Sequence, residues 1–189
     1  LGVLSAFGFQ PFHLWPLGLA AAGAFGWLAW RMPSWQRALL AGWLFGVAHF
    51  TVANNWIATA FTYQAEMPAV LGWAAVPLVS LYLAVWPALA TCAAWLVARR
   101  GSLFAFALAF AAMWIAGEWF RSWVFSGYAW GPLSMMLLGP WDRPGLAMAL
   151  PFVGSYALSG LTAGFAILLA DFVRNRRWTG LGLATVALA

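Results

Sequence analysis

The chain has 189 residues, of which 65% are hydrophobic and only 7% are charged, and its formal net charge is +5. A soluble domain carries about 25% charged residues, so this composition excludes a water-soluble globular protein and predicts a membrane protein. All nine basic residues are arginine, and we interpret the positive charge as a topology signal and not as a nucleic-acid-binding surface. A single cysteine cannot form an internal disulfide bond.

Apolar runs of about 20 residues, the length that crosses the hydrocarbon core of a bilayer, divide most of the chain. Residues 1–9 are apolar but too short to cross, and we expect them to be the end of a first span, while residues 180–189 are expected to begin a seventh. The five complete spans predicted between them cover residues 17–30, 38–61, 69–97, 103–125 and 149–172. The sequence therefore predicts an all-α, polytopic transmembrane helix bundle that forms a single domain over residues 1–189.

The arginines divide the predicted turns into two alternating sets. Short cytoplasmic loops of membrane proteins carry an excess of basic residues, so we expect the arginine-rich turns to be cytoplasmic. The turns between them, including the long connection 126–148 that is rich in Gly, Pro and Trp, are then expected to face outward; they hold only Glu66 and Arg143, which follows Asp142. The seven arginines on the cytoplasmic side are Arg31, Arg37, Arg99, Arg100, Arg174, Arg176 and Arg177.

Glu118 and Arg121 are two charges inside an apolar span, near its outward end. Residues three apart share a helix face, so the two side chains are expected to pair. Two interpretations stay open. The pair either anchors the end of the helix, or Arg121 presents its planar guanidinium to a lipid phosphate while Glu118 orients it. Trp123 and Trp130 lie near the same end and are expected to form an interfacial belt or a lipid-binding surface.

Other polar side chains give weaker signals. His49 lies in the third predicted span, just before Asn54 and Asn55, and is expected to be a hydrogen-bonded structural residue. His13 lies in an outward loop, where water can solvate it. Cys92 has no adjacent base and is expected to be an inert packing residue. We predict no metal site, because no second His, acid or thiol lies at ligand spacing, and no cofactor.

Five segments taken in order resemble the apolipoprotein N-acyltransferase family. The most specific is "WIAGEWFRSWVFSGYAWG" (114–131), which resembles the family's Trp-x-x-x-Glu-x-x-Arg segment and the Gly-[aromatic]-x-Trp that follows it. The others are "FGFQPFHLWP" (7–16), "GWLFGVAHFTVANNWIATA" (42–60), "MP" (67–68) and "LPFVGSYALSGL" (150–161). The similarity extends over nearly the whole chain.

The resemblance implies a bacterial inner-membrane enzyme whose nitrilase-like domain lies on the periplasmic side and carries a Glu-Lys-Cys triad. That domain takes an acyl chain from a phospholipid as a thioester and passes it to the N-terminal diacylglyceryl-cysteine of a lipoprotein. This chain contains no lysine and so cannot supply the triad. We therefore expect it to be the membrane portion, inactive alone, which binds lipid and docks the catalytic domain. We also expect it to be a monomer. The expected lipid- and substrate-binding residues are Glu118, Arg121, Trp123, Trp130, Asn55 and Trp56.

Two other interpretations remain. The chain is also compatible with a small transporter or scaffold in which the Glu-Arg pair is structural or gates a pathway. Transporters place such charges near the bilayer midplane, whereas Glu118 and Arg121 are near one end of a span, which disfavours this interpretation. A nonfunctional gene fragment is the third.

Overall fold

The computed structural model describes residues 1–64, 68–140, 142 and 144–175, and over these residues it contains helices and no strands. An all-helical fold is thus confirmed. The beginning of the seventh predicted span, together with Glu66, Arg143, Arg176 and Arg177, lies outside the described residues.

The α-helices are α1 (Gly2–Ala6), α2 (Trp15–Trp30), α3 (Trp35–Ala53), α4 (Trp56–Phe61), α5 (Ala69–Leu83), α6 (Val85–Ala98), α7 (Leu103–Trp123), α8 (Leu150–Val153) and α9 (Ser155–Arg174). Two 3₁₀ helices, Leu133–Leu137 and Leu146–Ala149, lie in the connection between α7 and α8.

Three helical stretches in the described part of the chain are long and apolar enough to cross a membrane. They are Val70–Ala98, which joins α5 and α6, Leu103–Trp123 and Ser155–Arg174. The second and third predicted spans are also helical, in α2 and α3. The fold is therefore that of a helical membrane bundle, although the number of complete spans stays a prediction.

The structure differs from the prediction in that three of the predicted spans contain breaks or a local irregularity. The third predicted span is interrupted at Asn54 and Asn55, because two residues of low helix propensity follow each other there. The fourth is one helical stretch, Val70–Ala98, with only a local irregularity at Ala84, where Pro87 has no N–H to donate to the carbonyl of Leu83. The last begins only at Ser155, because Gly154 takes the left-handed conformation (φ 78°) that ends α8.

Small residues let the long helices approach one another closely. α3 packs on α6, α6 on α7, and α7 on α9. A Cβ added to Gly42 of α3 would lie 2.7 Å from the Pro87 carbonyl oxygen, and one added to Gly160 of α9 would lie 2.5 Å from Cγ1 of Ile115. Both distances are inside van der Waals contact, so these glycines are needed for the close approach of the helices.

The arginine-bearing turns lie at one end of the bundle. The guanidinium carbons of Arg31 and Arg174 are 4.0 and 4.3 Å from the centroid of the Trp27 ring, a cation–π distance. Trp95, whose ring lies 4.9 Å from the Arg99 guanidinium carbon, donates its indole N–H to the Met32 carbonyl at 2.8 Å. Glu118 and Arg121 lie near the C-terminal end of α7, and since α7 begins just after the Arg99 turn they are at the opposite end.

Candidate functional site

Glu118 and Arg121 form a buried pair in the last turns of α7. The Nη2 atom of Arg121 is 3.8 Å from Oε1 of Glu118, and the two side chains are each only 3% exposed. The pairing that their spacing predicts is therefore present. Helix positions 114, 118 and 121 lie within about 60° of one another around the axis, so the pair and Trp114 share the face of α7 that points into the bundle.

Glu118 joins α7 to the long connection that follows it. Its Oε1 atom accepts a hydrogen bond from the Trp114 indole N–H at 3.0 Å and a second one from the backbone N–H of Leu133 at 2.8 Å. Leu133 is the first residue of a 3₁₀ helix, whose initial N–H groups have no partner within the helix. A carboxylate is a strong acceptor for such a group, so Glu118 fixes the point where the connection returns to the bundle.

Arg121 contacts the same connection and a second helix. Its Nη2 atom donates to the carbonyl oxygen of Ala129 at 3.3 Å. Its guanidinium carbon also lies 5.0 Å from the centroid of the Phe50 ring in α3, a favourable cation–π arrangement. Together, Glu118 and Arg121 hold both Ala129 and Leu133, and we refer to the chain between α7 and Leu133 (124–133) as the rim loop.

The rim loop has a demanding backbone conformation. Phe125 and Trp130 have φ angles of 70° and 53°, and Gly127 and Gly131 have 64° and 63°. The left-handed region disfavours any residue with a Cβ by about 1–2 kcal/mol, so the surrounding contacts must hold the two aromatic residues. Besides Arg121, these contacts are the Tyr82 hydroxyl, which donates to the Val124 carbonyl at 3.0 Å, and the Trp130 indole N–H, which donates to the Ser126 hydroxyl at 2.7 Å.

Two small cavities flank the buried pair. The first lies beside α3 and includes His49 and Phe50 in its lining, and the second lies between α6 and α7 and includes Trp86. Each has a volume of ≈ 10 Å³, which is about the space that one water molecule needs. A phosphate group is larger, so a lipid headgroup does not reach Arg121 in this conformation. Direct headgroup binding by the pair stays a prediction.

The other predicted lipid-contacting residues lie on the outside of the same end of the bundle. Trp123 and Trp56 are 54% and 51% exposed, Asn55 is exposed, and Trp130 is half-buried. Trp130 belongs to the rim loop that Arg121 holds. No hydrogen bond or ring contact among the described residues joins Asn55 or Trp56 to the buried pair, so the structure brings together only part of the predicted set.

The exposed aromatic residues near the end of α7 form a cluster. The ring centroids of Trp119 and Trp123 are 5.4 Å apart, and Phe120 lies 4.8 Å from Trp119 and 6.0 Å from Trp123. Phe125 is 93% exposed and its ring lies 5.4 Å from that of Tyr82. This surface has the composition of an interfacial aromatic belt.

His49 is a hydrogen-bonded residue of the bundle, as expected. Its Nδ1 atom lies 2.6 Å from the Ser5 hydroxyl, which connects α3 to α1, and its ring packs on Phe9 and Phe50 at 5.2 and 5.1 Å. His13 forms a hydrogen bond with the carbonyl oxygen of Leu138. The structure contains no group of three possible metal ligands among the residues it describes.

The sequence did not reveal two of the contacts that complete the site. The Leu133 N–H is a backbone group, so no residue type in the sequence marks it as a donor. It meets Glu118 only because the chain reverses direction after α7. Phe50 is one of many aromatic residues in apolar sequence and has no local mark of its own. Trp114, by contrast, lies one turn before Glu118, and helix spacing alone could have identified it as the carboxylate's partner.

Comparison with known proteins identifies the family. Residues 1–168 match the model of the apolipoprotein N-acyltransferase N-terminal domain. The apolipoprotein N-acyltransferase of Ralstonia nicotianae is 34% identical over 100% of this chain, and those of Nitrosomonas europaea and Vibrio cholerae are each 30% identical over 96% and 94% of it. The chain belongs to the apolipoprotein N-acyltransferase family, and it is a bacterial membrane protein. It spans 36%, 37% and 34% of the lengths of these three relatives, respectively.

Proposed function

We propose that this chain is the membrane portion of an enzyme that transfers an acyl chain from a phospholipid to the N-terminal diacylglyceryl-cysteine of a lipoprotein. The family match over residues 1–168 supports this assignment, and the relatives carry the name apolipoprotein N-acyltransferase. In this proposal the chemistry belongs to the catalytic domain of the whole enzyme. The membrane portion acts as a monomer in the bacterial inner membrane, where it presents lipid to that domain.

The rim loop is the part of the chain that we assign to this task. The observation that carries the assignment is that two buried charges, which are expensive inside a membrane, are used to hold this loop through Ala129 and Leu133. The loop lies at the end of the bundle opposite the arginine turns, which we assign to the cytoplasm. It therefore faces the periplasm, where phospholipid and lipoprotein meet the catalytic domain.

The exposed aromatic residues at this end supply the lipid contacts. Trp56, Trp123 and Trp130 present indole rings, which favour the level of the lipid headgroups, and Asn55 offers an amide to a polar head. Glu118 and Arg121 support them from inside the bundle by fixing the rim loop. A headgroup phosphate contacts Arg121 itself only if the rim loop moves away.

The assignment is tested by acyl transfer to a diacylated lipopeptide, measured with the full-length enzyme. Arg121→Ala removes the bond to Ala129 and the partner of Glu118, so we expect turnover to fall by about tenfold or more, consistent with a displacement of about 1 Å in a positioned substrate. Arg99→Ala is the matched control, because Arg99 is an arginine stacked on a tryptophan at the opposite end, and it should leave turnover unchanged.

Undiminished turnover by Arg121→Ala at a normal level of folded protein would remove Arg121 from the function. An equal loss in both arginine variants would point to a general effect of lost positive charge and would refute the role assigned to the rim loop.

A further inference from the structure

Three buried polar atoms near the Glu118–Arg121 pair have no hydrogen-bond partner among the described residues. They are Oε2 of Glu118, Nε of Arg121 and Nε1 of Trp86. The Ser159 hydroxyl lies near the carboxylate of Glu118, yet Oε2 forms no hydrogen bond with it. In native proteins nearly all such buried groups are paired with a protein atom or with an ordered water molecule.

The cavity between α6 and α7 is the place where these three residues meet. Trp86, Glu118 and Arg121 all line it, and its volume of ≈ 10 Å³ is about that needed by one water molecule. Trp114 also lines it, but its N–H is already donated to Oε1 of Glu118. The remaining lining residues are Pro87, Ala90 and Gly117.

The three unpartnered atoms match the hydrogen-bonding capacity of a single water. The N–H groups of Trp86 and Arg121 are donors and fill the two lone pairs of the water oxygen, and Oε2 of Glu118 accepts one of its protons. Three partners are typical of a buried water. We propose that an ordered water molecule is bound between α6 and α7, where it joins Trp86 to Glu118 and Arg121.

Trp86 is then a positioning residue for the rim loop. Its ring stacks on Phe120, with centroids 6.2 Å apart and planes at 9°, and its N–H reaches the buried pair through the water. The water thereby connects the start of α6, just after the irregularity at Ala84, to the pair that holds Ala129 and Leu133. This role rests on the geometry of the site and not on the acyl-transfer assignment.

The substitution Gly117→Ala tests the proposal, because it should raise the stability of the protein if the cavity is empty and lower it if the cavity holds the bridging water. A Cβ added to Gly117 would lie 3.5 Å from the Trp86 carbonyl oxygen and 3.6 Å from the Ala90 Cβ. These are ordinary contact distances, so a methyl group fits between the helices but takes the space of the water. If the cavity holds no water, Gly117→Ala stabilises the protein, since alanine is the better helix former and improves the packing. If it holds the bridging water, the methyl expels it and leaves three polar atoms unpaired.

The experiment is thermal unfolding of the full-length protein in detergent. We expect Gly117→Ala to lower the unfolding midpoint by about 2 °C or more. Trp86→Phe keeps a ring against Phe120 but removes the N–H, so the same Gly117→Ala change should have a smaller effect in that background. A midpoint that stays the same or rises with Gly117→Ala would overturn the proposal, and an equal fall in both backgrounds would overturn the link to Trp86.

A density map of the full-length protein that shows ordered water provides the direct test. It should contain a peak within about 3.2 Å of Oε2 of Glu118, Nε of Arg121 and Nε1 of Trp86. A map that shows other ordered water molecules but no peak at this position refutes the proposal. Neither experiment uses acyl transfer as its readout, so a failure here is distinguishable from a failure of the proposed function.

Discussion

Replacing Glu118 by glutamine tests the energy of the buried charge pair, because it removes the charge and keeps the shape of the side chain. The glutamine has nearly the same shape, and its Oε1 atom can still accept from the Trp114 and Leu133 N–H groups that now bind the carboxylate. The amide nitrogen takes the place of Oε2, which has no partner among the described protein atoms, and it cannot accept the hydrogen bond of the water proposed between α6 and α7. The substitution therefore removes that bond together with the negative charge beside Arg121, whose own charge is left buried and unpaired.

The size of the effect follows from the geometry. Two charges 3.8 Å apart attract each other by roughly 4 kcal/mol at an effective dielectric constant of about 20. Removing one partner of a buried pair typically costs about 3–5 kcal/mol, which agrees with this value. We therefore expect Glu118→Gln to lower the free energy of unfolding by about 3–5 kcal/mol. Glu118→Ala should cost more, because two hydrogen bonds to a charged acceptor are lost as well.

The assay is reversible unfolding in bicelles, with Arg121→Met and the double variant Glu118→Gln/Arg121→Met measured beside the single variants. Since the double variant buries no charge, it should be less destabilised than the sum of the two single variants, with a coupling free energy of about 2 kcal/mol or more. Additive effects, or a loss below about 1 kcal/mol for Glu118→Gln, would show that the pair is solvated or separated in the membrane. The buried-pair reasoning would then be wrong.

Three further predictions address the rim loop, the helix packing and the aromatic cluster. Tyr82→Phe removes the hydrogen bond to the Val124 carbonyl and should cost about 1 kcal/mol, with faster hydrogen exchange confined to the rim loop; unchanged exchange would contradict the contact. Gly42→Ala places a Cβ 2.7 Å from the Pro87 carbonyl oxygen and should destabilise the bundle by about 1–3 kcal/mol in the same unfolding assay, whereas a stabilised variant would disprove the close approach. Trp123→Ala removes an indole that is 54% exposed, so it should weaken retention of phospholipid, measured by native mass spectrometry, while stability changes by less than about 1 kcal/mol; unaltered retention would exclude Trp123 from the lipid surface.

Helix periodicity explains how much of the site could be predicted. Residues on an α-helix are rotated by about 100° each, so Trp114, Glu118 and Arg121 fall on one face of α7 and Trp123, nine residues after Trp114, falls on the opposite face. The structure agrees: Trp114 is 8% exposed and Trp123 is 54% exposed. The apolar residues of α7 do not indicate which of its two faces is buried in the bundle, because lipid and protein interior are both apolar surroundings for a membrane helix. Within α7, the two charges are the only local indication of the buried face.

The breaks and the irregularity in the predicted spans were missed for a related reason. When hydropathy is averaged over a whole span, it stays apolar across Asn54, Ala84 and Gly154. Each apolar run was therefore interpreted as one helix. The signals are local: two adjacent asparagines, a proline four residues after Leu83, and a glycine followed by serine. They act through backbone hydrogen bonds and φ angles, which an average over about 20 residues does not detect.

Five buried polar residues lie toward the end of the bundle that holds the rim loop: Ser5, His49, Glu118, Arg121 and Ser159. Their hydrogen bonds join α1 to α3, α7 to the connection that follows it, and that connection to α9. Apolar contacts between membrane helices specify their arrangement weakly, because lipid tails satisfy the same surfaces. A polar network has few alternative partners in hydrocarbon, so it fixes the register of the helices where it occurs. The polar network therefore fixes the helix geometry directly beneath the loop that we assign to lipid presentation. A substitution that weakens the network should perturb that loop before it perturbs the arginine-rich end.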